Sequence, residues 1–224
     1  MTDAAPLLRF GLQHPLAGPF LAFDQLPSRL LHRSQRAALL SSQADWQLGE
    51  TLPHLHRHWS AELKESASLA SVTELDDPAL PLAMAPQSAF DRLLMMLGAV
   101  LAGQRLRRVI QRDEVSVLRA QIGDEALDLA RRQAPSFHAG LDEGLDWPLA
   151  DAAEQVRALG AAALAKVFAA AAASVGRRGL LRLPVDSPEL SRRLPLDADA
   201  ALRLSRSLLQ RVDPQWLSLF PATR

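Results

Sequence analysis

Side chains able to do chemistry are few in this sequence, and their densest grouping is Pro53-His54-Leu55-His56-Arg57-His58-Trp59. On a helix, His54 and His58 share a face at a spacing that can bind zinc. His56 then points away, Arg57 adds like charge, and the motif contains no carboxylate. The stretch therefore reads as a surface or partly buried histidine cluster beside a core-anchoring Trp59, and no metal site is expected. His14, His32 and His138 are isolated. The chain has no cysteine, which excludes disulfides, thiolate ligands and cysteine nucleophiles. There is no Gly-x-Ser-x-Gly elbow. Gly98 and Gly103 lack the Lys-Ser/Thr that would complete a phosphate loop. The pairs Asp76-Asp77 and Asp142-Glu143 read as solvated turn residues. No catalytic residue and no cofactor are expected.

Charge offers one further candidate. Arg105, Arg107, Arg108 and Arg112 place four cations within eight residues, a field strong enough for a partner-binding patch facing an acidic surface. The competing reading is the solvated side of a short helix. Nucleic acid is not the expected partner. The 25 basic and 25 acidic residues cancel, no aromatic residues interleave the arginines for base stacking, and Asp113 and Glu114 follow closely. A helix–turn–helix over Asp113–Gln133 would carry Asp124, Glu125 and Asp128 towards phosphate and is rejected. Only Lys64 and Lys166 are lysines, so the arginine and alanine excess reads mainly as genomic composition, with interface chemistry as the other contribution.

The elements that must hold these residues are helices. Ten Val, two Ile, four Thr and no Tyr leave little strand-forming material, and no run alternates apolar and polar residues. The expected fold is all-α, a compact helical domain of roughly seven to nine helices with a proline-broken N-terminal region. Helices are expected over Ser28–Ser42, Pro53–Ala70, Ser88–Leu101, Gln104–Arg112, a span capped by Asp113, one capped by Asp124 and stopping before Pro135, Ala150–Val175, and Asp199–Arg211. Ser88 with Asp91 resembles a capping box. Phe90, Leu93, Leu94, Leu97, Val100 and Leu101 trace an apolar stripe at helical period. Gly103 and Gly123 mark helix ends, as do Gly176 and Gly179. Ser136–Pro148 reads as an acidic loop.

Asp77–Pro86, with three prolines, is the best linker candidate. It divides an irregular region, 1–85, packed on the body, from a main helical domain, 86–224. The first residues lack the pattern of a secretory signal. Ala158–Gly176 is long enough to span a bilayer but is mostly alanine and carries Lys166, so a buried helix is expected rather than membrane insertion.

One stretch carries more than packing information. Phe90–Pro135 contains Leu97-Gly98, Leu106-Arg107-Arg108-Val109-Ile110, Val117-Leu118 and Ala134-Pro135 in that order. It resembles the central region of the type III secretion accessory family SctK, which includes the YscK and PscK proteins. Trp46 and Trp59 agree with the family in style. The resemblance implies a non-enzymatic adaptor, cytoplasmic and peripheral at the base of the injectisome. It would link the cytoplasmic domain of the inner-membrane ring protein to the pod protein of the sorting platform, which leads on to the ATPase. No site residue carries over, because the shared motifs are packing residues. A helical chaperone or regulator of an exported protein is the alternative. The stripe itself generates a test: Leu97→Asp puts an unpaired charge into the core, and loss of the cooperative thermal transition by circular dichroism is the expected outcome.

Overall fold

The computed structural model describes residues 13–39, 53–141 and 147–220. Among them the regular structure is helical, with no strand, as the scarcity of β-branched residues requires. Nine helices have seven or more residues: α1 Ala17–Gln25, α2 Arg33–Leu39, α3 Pro53–Ser66, α4 Gln87–Leu101, α5 Arg112–Ile122, α6 Ala152–Ala170, α7 Ala173–Leu181, α8 Ser187–Arg193 and α9 Ala198–Val212. Short turns of helix lie at Pro27–Leu30, Leu80–Ala83, Gly103–Arg108, Asp124–Asp128, Ala134–Phe137 and Pro214–Ser218.

The chain gathers into two units. One takes the described residues up to Met84, then Phe168–Val185 and those from Ser218; the other takes Ala85–Val167 and Asp186–Leu217. The first unit has an apolar cluster of Leu31, Trp59, Leu63, Leu69 and Leu181. Beside it Arg178 is fully buried, and both of its terminal nitrogens are hydrogen-bonded. Its guanidinium donates to Asp24 Oδ1 at 3.0 Å, and to the carbonyls of Ala70 at 2.6 Å and Ser174 at 3.0 Å. Asp24 Oδ1 also accepts from the Val72 amide at 2.9 Å. Three separate segments, α1, residues 70–72 and α7, thus meet on one charge pair. Removing either partner would strand the other charge and cost about 3–5 kcal/mol.

In the second unit the decisive contact is between backbones. A Cβ on Gly98 of α4 would lie 1.7 Å from the Val156 carbonyl oxygen, and one on Gly160 of α6 would lie 2.0 Å from that of Leu94. The two helices therefore cross at glycine against glycine. Around this crossing Ala99, Ala102, Leu106, Leu118, Ile122, Leu127, Ala130 and Val156 form the core, closed by Trp147. α9 packs along α4, and the Arg92 Nε donates to Glu125 Oε2 at 2.7 Å. Gln121 caps α6, accepting from the Ala153 amide at 3.1 Å and donating to the Ala150 carbonyl at 2.7 Å.

Several boundaries differ from those the sequence suggests, each for a local reason. The helix expected over Ser28–Ser42 breaks at Leu31, because His32 accepts through Nδ1 from the Ser34 amide and starts α2 afresh; residues 40–42 fall outside the described residues. α3 ends at Ser66 rather than Ala70. Ser68 takes φ 49°, and the amides of Ser68 and Leu69 turn back to the carbonyls of Glu65 and Lys64. This is a Schellman closure with serine in the left-handed position. Asp77–Pro86 is not an open linker, since Ala79 to Ala85 are all buried and Leu80–Ala83 is a helical turn. Ser88 caps nothing; α4 begins at Gln87 after Pro86. The basic helix stops at Arg108, and Val109 and Gln111 are extended. Asp113 lies inside the first turn of α5.

Past Asp128 the chain widens into a π turn over Leu129–Gln133 and resumes as helix through Pro135, whose missing N–H removes one normal bond. The long helix expected to Val175 ends at Ala170. Ala172 is extended and gives its amide to Asp77 Oδ2 at 2.7 Å, so α7 folds back against Phe168. Gly176 and Gly179 are thereby inside α7, where their lack of a Cβ admits the Phe168 carbonyl and ring.

The glycine crossing predicts an asymmetry. Gly160→Ala sets a methyl against backbone that no rotamer change relieves, and a loss of about 3 kcal/mol or more is expected in urea denaturation. Gly18→Ala, in α1 where a Cβ meets nothing within 4 Å, should leave the midpoint unchanged or slightly raised.

Candidate functional site

The four arginines singled out by charge do not act as one patch. Arg105 and Arg107 are half-buried and face inward. Arg105 Nη2 donates to the Trp147 carbonyl at 3.1 Å, and its guanidinium carbon lies 5.6 Å from the Trp147 ring centroid. Arg107 Nη1 donates to the Ala130 carbonyl at 3.2 Å. Arg108 and Arg112 are exposed and, among the described residues, form no ion pair. The separation follows from the backbone. The helix ends at Arg108, Val109 is extended with its side chain buried, and the chain re-enters helix at Arg112.

That geometry exposes a residue which the charge pattern alone does not mark. Ile110 is 80% exposed, set between Arg108 and Arg112. Val117 of α5 is also exposed. The result is a ridge with an apolar centre and a cation at each end, suited to a protein surface that offers an apolar contact flanked by carboxylates. The acidic residues Asp142, Glu143 and Asp146 fall outside the described residues, as does Trp46.

The histidine motif divides as its helical spacing requires. His54 and His58 are exposed and His56 is buried. Among the described residues no group of three or more His, Cys, Asp or Glu could hold a metal ion. His56 instead meets two serines that the sequence does not bring to notice. Ser28 Oγ lies 2.9 Å from His56 Nδ1 and 2.8 Å from Ser60 Oγ, and it reaches the His56 carbonyl at 3.1 Å. A serine hydroxyl against an imidazole has the form of a nucleophile and its base. Here Ser28 is 0% and Ser60 1% exposed, so no substrate reaches the pair. The network ties the Pro27–Leu30 turn to α3, and Trp59 meets the imidazole edge-on at 5.0 Å between centroids.

Burial, reinforced by the charges of Arg29 and Arg36, holds the His56 imidazole below its ordinary pKa. Unfolding returns it to water, where it takes up a proton below about pH 6.5. Between that pH and the lower folded value the unfolded chain binds more protons. Stability is therefore complete above about pH 6.5 and declines as the pH falls through this window. Urea midpoints at pH 7.5 and 5.0 should show that decline, and His56→Gln should flatten it while lowering the midpoint at pH 7.5.

Compared with known proteins, residues 19–220 match the model of the family described as YOP proteins translocation protein K (YscK). No curated protein and no solved structure matches the chain.

Proposed function

Because this chain belongs to the YscK family, and so to the components of type III secretion systems, we propose that it is a non-catalytic adaptor of the cytoplasmic sorting platform. In this reading it joins the cytoplasmic domain of the inner-membrane ring protein to the pod protein and sits peripherally at the cytoplasmic base of the injectisome. The observation that carries the reading is the family match across residues 19–220, which covers both structural units.

The physical character of the described residues supports it. Their polar chemistry is spent internally: the buried serine–histidine network and the Asp24–Arg178 pair hold helices together and face no cleft. No helix among the described residues is long and apolar enough to cross a membrane. Lys166, near the C-terminal end of α6, gives its ammonium to the Leu194 carbonyl at 2.8 Å, which makes it a tether within the second unit. What the second unit offers outward is the Arg108–Ile110–Arg112 ridge, and we assign it to one of the two partners.

The test is reconstitution from purified parts. The chain should bind the ring protein's cytoplasmic domain and the pod protein and form a three-component species by light scattering. Arg108→Glu with Arg112→Glu should weaken one of the two contacts at least tenfold and leave the melting temperature unchanged. Arg107→Glu should instead lower the melting temperature, because it removes the bond to Ala130. Binding to neither protein, with an exported protein recovered in their place, would replace the adaptor by a secretion chaperone.

A further inference from the structure

The first unit carries an open groove between α1, the Pro27–Leu30 turn and α3, with a volume of about 640 Å³. Its floor is made by Gly18, Leu21, Ala22, Leu26 and Ala61, and Arg29, Arg57 and Lys64 stand around it. Leu21 is 39% exposed, unusual for a large apolar side chain in this chain. No carboxylate lines the groove. Arg29 and Arg57 are exposed and, among the described residues, make no ion pair or hydrogen bond through their side chains. Lys64 leans along the wall and donates to Gln25 Oε1 at 2.9 Å. The nearby Asp24 carboxylate is already committed to Arg178. An apolar trough is thus rimmed by two exposed arginines that have no counter-charge among the described residues.

We infer that this groove receives the apolar face of an amphipathic helix from a partner protein, with Asp or Glu residues flanking that face. Length, shape and charge all suit such an occupant. α1 spans about 13 Å at the helical rise, enough to hold two to three turns of a helix laid beside it. Gly18 widens the trough, since a Cβ there would meet nothing within 4 Å. Carboxylates on the incoming helix would meet Arg29 and Arg57 at the rim and speed its association. An acidic peptide lacking an apolar face would leave Leu21 and Leu26 in water and bind weakly. The inference deepens the adaptor reading and rests on it: the partner supplying the helix is one of the two proteins that the chain joins.

The experiment titrates the full chain separately with the purified ring-protein cytoplasmic domain and with the pod protein, by isothermal calorimetry at low and high salt. Two variants block the groove by different means. Gly18→Leu adds a side chain to the groove lining at a position where a Cβ meets nothing within 4 Å, and Arg29→Glu with Arg57→Glu reverses its rim. Thermal melts confirm that each variant folds. The expected result is that both variants weaken the same partner at least tenfold while the other partner binds as before, and that rim reversal also flattens the salt dependence. If the wild-type chain binds its partners and both variants bind them equally well, the groove inference is overturned and the adaptor reading stands. If the wild-type chain binds neither protein, the adaptor reading falls and the inference falls with it. If the wild-type chain dimerises and the variants do not, the occupant is a second copy of this chain, which also overturns the inference.

Discussion

The approach of α4 to α6 at Gly98 and Gly160 sets the terms for the second unit. Where the helices cross, each backbone occupies the volume that the other's side chain would need, so the crossing admits no residue larger than glycine at either position. Close contact brings the Ala-rich face of α6 within reach of the apolar stripe of α4, and short side chains such as Ala99 and Ala163 then suffice to fill the space. Alanine would be a poor core residue between helices held further apart. The glycines and the alanines are therefore one design: remove the close approach, and the alanine face is too shallow to make a core.

The first unit reaches order by the opposite means. It holds the largest fully buried side chain among the described residues, that of Arg178. Arg178 could not stay there for its charge alone, since desolvation works against it and lowers its pKa, opposed by Asp24. What retains it is the number of backbone groups it satisfies on strands of chain that have no regular structure of their own, at Ala70 and, through Asp24, at Val72. Those segments lie between α3 and the turn at Leu80–Ala83, where no helix supplies partners for their amides and carbonyls. A charged hub resolves a backbone problem that an apolar core would leave unsolved.

How much of this was legible in the sequence depends on the range of the interaction. The stripe from Phe90 to Leu101 and the stop at Gly123 are local, and both are where period and residue type place them. Gly98 and Gly160 were visible, but their meaning lies in each other, sixty-two positions apart, and no local rule pairs them. The prolines of Asp77–Pro86 suggest a linker, but the residues between them are Ala, Leu and Met, which bury. The capping reading of Ser88 failed because Pro86 already ends the preceding segment and fixes the helix start one residue earlier. Ser28, His56 and Ser60 could not be associated in advance, since Ser28 joins the other two across a break in the helix that was expected to continue. Ile110 lies within a motif of packing residues, and its exposure follows from the extended backbone at Val109 and Gln111, which no local pattern announces.

Part of the arginine complement does structural work. Arg92, Arg105, Arg107, Arg177, Arg178 and Arg182 each donate to a backbone carbonyl: of Val212, Trp147, Ala130, Ser68, Ala70 and Ala83 respectively. A guanidinium presents five donors on a long apolar stem, so it can cross a helix surface and satisfy a carbonyl at the far end. Lysine in the same places would offer a compact, strongly hydrated charge and lose the planar fork. Sorting the arginines by where their donors end is thus a way to find surface function in a chain whose charges cancel. Arg29, Arg57, Arg108 and Arg112 are among the arginines whose donors end on nothing within the described residues, and these four stand beside an exposed apolar residue, Leu21 or Ile110. Exposed hydrophobic surface is costly to solubility, and a free cation beside it adds nothing to the fold. It gains value when a partner covers the apolar residue and brings the counter-charge, and the two units each present one such combination.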